Sequence, residues 1–400
     1  MRNTIQTLLI IVALILTQQS APKAPITLPL ETTSYGGIFL EAHINNSPPM
    51  SFYLDSGASL PFIINSKKAA QLNLNSLGQI TQAEGAGPNT YEASFSEHVT
   101  VDLSTHKFTD QRVALMNLGV VEEQLGRSLD GLIGMGLFLR YVVEIDYSAK
   151  ILRLYDPQSY VYSGAGESVP LTLHEGHFFI PASIKIPQRG EFAGQFLVDT
   201  GGCLLTAILT TSFAEINKLP VPGAKNIVDE SVTGLGGNTR LLVTRASEFK
   251  IGKSIFTTPL IFVSQDKAGA LASSGYEGLI GSEILRRFKV TFDYSRRRLI
   301  LERNSDFQKP MEYDMSGMSV RAYGDDFRTF SVYQVLDDSP AKEAGLRAGD
   351  IIERIDATPA SQLTLEQILN LMKVQGREYR LTIKRGADSR SVQLRTRRLI

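Results

Sequence analysis

The sequence predicts a mainly β chain: two tandem β-barrel lobes related by a pseudo-twofold, followed by a small α+β domain. Three observations carry this reading. One series of short apolar strands and glycine turns occurs twice, in the same order, between residues 30 and 303. Short strands with Gly-rich turns prevail there and helical periods are few. After Glu302 the texture changes, first to a polar stretch and then to a new mixture of strands and capped helices. The expected boundaries are 1–20 for a leader or short anchor, 30–160 and 166–303 for the lobes, and 312–398 for the last domain.

The repeat is explicit. Gly37 to Ile44 leads into Phe52-Tyr53-Leu54-Asp55-Ser56-Gly57-Ala58, and His177 to Ile184 leads into Phe196-Leu197-Val198-Asp199-Thr200-Gly201-Gly202. Gly85-Ala86-Gly87-Pro88-Asn89-Thr90 is echoed by Gly234-Leu235-Gly236-Gly237-Asn238-Thr239. Asp130-Gly131-Leu132-Ile133-Gly134 is echoed by Glu277-Gly278-Leu279-Ile280-Gly281. A short helical stretch follows each, Met135 to Leu139 and Ser282 to Arg286. Each half closes with a hairpin turning at Asp-Tyr-Ser, residues 146–148 and 293–295. Duplication explains this order and spacing.

The ends of the chain and its composition narrow the function. Of 400 residues, 43% are hydrophobic and 20% charged, as in a soluble globular protein. Lys+Arg and Asp+Glu balance at 41 each and no basic block stands out, which argues against a nucleic-acid partner. Arg2, an apolar run from Leu8 to Leu16 and a polar exit to Ala21-Pro22 read as a secretory leader. The run is well short of the roughly 20 residues that span a bilayer. The expected location is therefore outside the cytoplasm: periplasmic, secreted, or anchored to a membrane through an uncleaved N-terminus. Cys203 is the only cysteine, so no intrachain disulfide forms and stability comes from the core.

Each Asp-Ser/Thr-Gly triplet ends an apolar strand, which sets its carboxylate in a low-dielectric setting. Gly57 and Gly201 permit tight geometry and close approach of another chain. The hydroxyls of Ser56 and Thr200 can reach the partner loop. If the lobes pack about a twofold, Asp55 and Asp199 meet. Two carboxylates about 4 Å apart repel by roughly 4 kcal/mol at an effective dielectric of 20, about 3 pKa units. One then keeps a proton while the other ionises. The ionised group deprotonates a water and the protonated one hydrogen-bonds the substrate carbonyl, without metal or covalent intermediate. A single triplet is an ordinary turn. Two in matching repeat positions point to chemistry.

These elements resemble the retropepsin-like and pepsin-like aspartic proteases. The resemblance spans about residues 30 to 303 and rests on Asp55-Ser56-Gly57-Ala58, Asp199-Thr200-Gly201, Leu132-Ile133-Gly134 and Leu279-Ile280-Gly281. It implies an aspartic endopeptidase with catalytic Asp55 and Asp199, supported by Ser56, Gly57, Thr200 and Gly201. Gly134 and Gly281 would belong to the segments that brace the catalytic loops. It also implies a polypeptide substrate and no cofactor or metal. Gly202-Cys203 departs from the small Ala or Ser usual after the triplet. The segments near Gly87 and Gly236 either fall where a flap belongs, with Tyr91 as a candidate flap aromatic, or are ordinary β-turns. Because both triplets lie in one chain, dimerisation is not required.

Asn304 to Met311 reads as a linker. Beyond it, Ser339 caps a short helix with Pro340 at its first position and Gly345 past its end. Thr364 and Gln367 form a capping box for a helix running through Met372, and strands close the chain at 379–384 and 391–394. The stretch from Ser339 to Ile352 resembles the PDZ domains that accompany bacterial proteases. The resemblance places a carboxylate-binding loop at Met315-Ser316-Gly317-Met318, where Ser316 replaces an apolar residue, and a groove-facing helix presenting Leu365 and Leu369. A C-terminal or strand peptide is the implied partner.

Other chemistries fit poorly. No Gly-x-Ser-x-Gly occurs, and His174 and His177 are three apart in an expected turn, not in a His-Glu-x-x-His helix. The alternative from another class is a non-catalytic peptide-binding protein built on the same lobes.

Overall fold

The computed structural model describes residues 24–78, 81–103 and 106–400. The expected leader, residues 1–20, lies outside the described residues. The chain is mainly β, and its helices are short.

Strand Ile38–Ile44 shows why the first half folds as it does. Alternation turns Ile38, Leu40, Ala42 and Ile44 inward and leaves Glu41 exposed. It pairs with Met50–Leu54, which continues through Gly131–Ile133, Phe62–Asn65, Lys107–Met116 and Thr90–Asp102. Ile44 also pairs with Val101, so the sheet closes on itself. A second sheet is built around Ala207–Leu209, Gly278–Ile280, Gly190–Val198 and His177–Ile186.

The same local pairing occurs in each. Phe52, Tyr53 and Leu54 run parallel to Gly131, Leu132 and Ile133. Phe196, Leu197 and Val198 run parallel to Gly278, Leu279 and Ile280. The strand after each triplet, Phe62–Asn65 or Ala207–Leu209, flanks the short apolar strand on its other side, antiparallel.

The two closing hairpins do more than end their halves. Val142–Asp146 pairs with Phe288–Asp293, Val143 opposite Phe292 and Ile145 opposite Val290. Both hairpins therefore share one six-stranded sheet, edged by Ile26–Pro29 and Glu167–Pro170. Above it, Phe138 meets Phe178 at 6.0 Å and Phe292 at 4.8 Å between ring centres. Each fully buried Phe contributes about 1.5–3 kcal/mol, so this aromatic seam ties the halves together.

The segment 304–311 behaves differently from a linker. Phe307 packs between Phe256 and Phe288 at 5.0 and 5.5 Å, and Met311 is buried. Arg287, completely buried, donates to the carbonyls of Asp306, Phe307, Lys309 and Pro310 and to Glu283. One guanidinium thus satisfies several backbone acceptors of a polar stretch, which lets that stretch lie against the core.

Residues 318–395 form their own sheet and core around Phe330, Ile352, Leu381 and Ile383. The helix caps read from the sequence are present: Ser339 on Pro340–Glu343, and the Thr364–Gln367 capping box on Leu365–Leu371. Asp350, nearly inaccessible, pairs with Arg385 at 2.6 Å. Burial pushes its pKa up, but the hydrogen bonds from Arg385 and from the Arg347 N–H, with the charges of both arginines, together outweigh this and hold the carboxyl below its usual range.

Candidate active site

Each Asp is fixed first by its own backbone. The Asp55 N–H donates to Ile133 O at 2.9 Å, and the Asp199 N–H to Ile280 O at 3.0 Å. The Gly57 N–H donates to Asp55 Oδ1, and the Gly201 N–H to Asp199 Oδ1, both at 2.8 Å. The carboxyls of Asp55 and Asp199 come within hydrogen-bonding reach of each other. Their Oδ1 atoms lie 3.1 and 2.7 Å from the point that a Cβ on Gly57 would occupy. A Cβ on Gly201 would fall 2.4 Å from Asp55 Oδ1. Glycine is needed at both positions because the opposite carboxylate already fills the space.

The two triplets are laced together behind the carboxyls. Ser56 N–H donates to Thr200 Oγ1 at 2.9 Å, and Thr200 N–H to Ser56 Oγ at 3.0 Å. Ser56 Oγ–H donates to Val198 O at 2.7 Å, and Thr200 Oγ–H to Leu54 O at 3.0 Å. Both side chains are completely buried. Gly134 and Gly281 sit under the loops. Their N–H groups donate to Pro61 O and Thr206 O, and a Cβ on either would strike backbone carbonyls of the loop above. The acid before each brace is also tied in: Asp130 accepts from Ser51 N–H and Glu277 from Gln195 N–H.

The carboxyls remain partly open to solvent yet are densely surrounded by protein. Burial raises the pKa of Asp55. Burial, then the charge of Asp55 and their shared hydrogen bond, raise that of Asp199 well above the usual carboxylate range. The pair titrates as a unit, and it retains a proton where isolated carboxylates would have lost theirs.

Tyrosines surround it. Tyr53, buried, donates to Gly201 O at 3.0 Å and touches the Cys203 thiol. Burial pushes that thiol up to about 12, so Cys203 is a neutral packing residue and not a reactive one. Tyr91 feels the Asp55 charge, and Tyr276 that of Asp199. Sequence reasoning gave no role to Tyr53, quoted only as part of an apolar strand, or to Tyr276, beside a brace; nothing in an aromatic residue's sequence context marks it as lying near the carboxyls.

The two glycine segments meet each other. Gly87 N–H donates to Leu235 O at 2.9 Å and Asn89 N–H to Gly236 O at 3.0 Å. Ala270 N–H donates to Gly85 O.

The C-terminal loop residues are placed otherwise than a free groove requires. Ser316 N–H, Gly317 N–H and Ser316 Oγ–H all donate to Asp314 Oδ1, at 2.9, 2.6 and 2.7 Å. Met318 N–H donates to Ser316 Oγ. The loop's amides are thus engaged by an internal carboxylate. Leu365 abuts Gly126, and Leu369 packs against the cluster of Tyr35, Leu118 and Leu125. The neighbouring Glu366 accepts from Ser34 N–H at 2.5 Å. This helix therefore faces the body of the chain.

Residues 40–137 match the aspartyl protease family, and residues 331–385 match the PDZ domain. Asp55 lies inside the first match and Asp199 beyond it. A probable CtpA-like serine protease of Staphylococcus haemolyticus (strain JCSC1435) is 21% identical over 135 residues, 34% of this chain. The chain spans about a quarter of that relative's length, 25%. The crystal structure of basic 7S globulin from soybean superposes with a TM-score of 0.39 at 12% identity, covering 70% of this chain and 95% of the globulin.

Proposed function

Starting from a chain that carries an aspartyl protease domain and a C-terminal PDZ domain, we propose an aspartic endopeptidase whose two pseudo-twofold lobes each supply one carboxyl. The observation that carries this reading is the laced pair of triplets with Asp55 and Asp199 in mutual reach. The pair holds one proton. The ionised carboxylate removes a proton from water as its oxygen bonds to the scissile carbonyl carbon. The protonated carboxyl gives its proton to the carbonyl oxygen, forming a neutral tetrahedral gem-diol. In the collapse one carboxyl gives its proton to the amide nitrogen while the ionised carboxylate takes a proton from a gem-diol hydroxyl. The C–N bond breaks, the product carboxyl and amine form, and the pair again holds one proton.

The leader-like N-terminus favours work outside the cytoplasm, on polypeptides that reach that compartment. The experiment is cleavage of a denatured protein by the full chain from pH 3 to pH 8, with and without a serine-directed phosphonate. Cleavage that persists with the phosphonate is expected. Complete loss with it would assign the activity to a serine nucleophile and overturn the reading.

A further inference from the structure

The two halves hold their aspartate loops differently. In the repeat, Phe52-Tyr53-Leu54-Asp55 matches Phe196-Leu197-Val198-Asp199, so the position two before the aspartate is Tyr53 in one half and Leu197 in the other. Four residues past each aspartate stand Ser59, exposed, and Cys203, buried. Both differences meet on one loop. Tyr53, 3% exposed, reaches across from the first half, and its phenol donates to the Gly201 carbonyl at 3.0 Å. The Cys203 thiol bonds the same phenolic oxygen. Burial keeps both groups protonated, so the S–H donates to the phenol and the phenol donates onward.

The Gly201 carbonyl and the Gly202 N–H belong to one peptide unit. That N–H is directed at the Asp199 carboxyl and favours its ionised form. The point that a Cβ on Gly202 would occupy lies 3.2 Å from Asp199 Oδ2, so the unit sits against the carboxyl. Its carbonyl is fixed from two sides, by Tyr53 and by the Cys203 N–H at 2.8 Å. A hydrogen bond accepted by a peptide carbonyl polarises the unit and strengthens its N–H as a donor. The path thus runs from thiol to phenol to peptide to carboxyl, with every step donating in one direction. On the other side the Gly57 and Ala58 N–H groups also favour ionised Asp55, but Leu197 has no hydroxyl with which to repeat the phenol's contact.

We propose that Tyr53 is a positioning residue for the proposed hydrolysis. It acts through the Gly201–Gly202 peptide, setting the angle and donor strength of the N–H that receives negative charge on Asp199, and Cys203 holds the phenol in line. The triplets are laced symmetrically, yet the support of the two carboxyls is unequal. This role rests on the dyad reading. A buried tyrosine needs only some partner for its hydroxyl; Gly201 is a partner whose orientation bears on a reacting group.

Other titratable groups act on this path. The charge of His177 acts on Asp55, that of Asp199 on Tyr147 and Tyr276, and that of Glu366 on Tyr35 and Cys203. None is altered by removing the Tyr53 hydroxyl or the Cys203 thiol.

The test follows hydrolysis of fluorescein-labelled casein by the full chain from pH 3 to pH 8, with melting temperatures measured alongside. Tyr53→Phe keeps the ring and removes the donor. It should melt close to wild type and lower kcat about three- to tenfold with KM little changed. The alkaline limb of kcat should move to higher pH by about half a unit. The sign follows from the donor: a weaker N–H favours ionised Asp199 less, so the pair loses its last proton at higher pH. Cys203→Ala should move kcat and the limb in the same directions by less, and Cys203→Ser, which keeps a donor, should recover most of that change. Wild-type kcat with an unmoved limb in Tyr53→Phe would overturn the role. So would a lower kcat with an unmoved limb, which is what looser packing alone produces. Should Tyr53→Phe melt far below wild type, the cysteine variants decide, and identical profiles for Ala and Ser overturn the path. Asp199→Asn separates the two levels. Turnover retained in that variant, or none by wild type at any pH, removes the dyad and the Tyr53 role together. Turnover lost in it, beside a wild-type-like Tyr53→Phe, removes the Tyr53 role alone.

Discussion

The backbone N–H of Ser56 donates to the Thr200 hydroxyl, and the backbone N–H of Thr200 donates to the Ser56 hydroxyl, at 2.9 and 3.0 Å. Each hydroxyl in turn donates a hydrogen bond to a carbonyl of the opposite strand. Two loops 144 residues apart in sequence are thereby held at one separation, and that separation sets the distance between the carboxyls in front of them.

Thr200→Val removes one hydroxyl at nearly constant volume. It leaves Ser56 N–H and Leu54 O without their partner inside the protein. At about 1–3 kcal/mol per orphaned buried group, a loss of roughly 2–4 kcal/mol in urea unfolding is expected. Turnover should fall by more than the stability change explains, because the dyad is no longer fixed.

The dyad should make activity fall on the alkaline side of its optimum. Both carboxyls are shifted upward, Asp199 the further. Activity needs the singly protonated pair, so kcat should fall as pH rises through the upper macroscopic pKa. The stability sign follows from the same shift. A raised folded-state pKa gives stability that is full below the unfolded value and lost as pH rises through the folded one. Asp199→Asn, which cannot ionise, should therefore melt no lower than wild type at pH 7 in calorimetry.

Asp314 offers a separate pH test. Burial lifts its carboxyl from an ordinary value of 3.8 to about 6, against the hydrogen bonds from Ser316 and Gly317. Stability from this group is full below about 4 and lost as pH rises through about 6. The loss is on the order of 2–3 kcal/mol. Asp314→Asn should flatten the stability profile between pH 4 and pH 7, as followed by urea unfolding at each pH.

Arg287 holds residues 306–310 by their carbonyls. Arg287→Met leaves those acceptors, and part of the Glu283 carboxylate, uncompensated inside the protein. Breaking a buried charged network of this kind costs about 3–5 kcal/mol. Limited proteolysis should then cut within 304–311 faster than in wild type, before the rest of the chain is degraded.

Much of the site could be read from residue order. The strand-then-Asp-Ser/Thr-Gly pattern and the apolar-apolar-Gly braces are local, and local signals survive in sequence. The helix caps at Ser339 and Thr364 are local too. What escaped depends on contacts between distant segments. Val143 opposite Phe292 cannot be inferred from either hairpin alone, so a sheet shared by both halves was invisible. Residues 304–311 looked like a linker because their polarity is visible and the arginine that satisfies them is not. Ser316 and Gly317 precede the strand that opens at Met318, but the acceptor of their amides, Asp314, carries no mark in the sequence that separates it from any other polar residue beside a glycine turn.

The most direct test compares wild type with Asp55→Asn and Asp199→Asn at the pH of maximal hydrolysis, with folding checked by calorimetry. The account predicts that each substitution alone lowers kcat by roughly 10²–10⁴-fold, with KM and the melting temperature little changed. A folded variant of either kind that retains more than about a tenth of wild-type turnover would contradict a shared-proton dyad of Asp55 and Asp199.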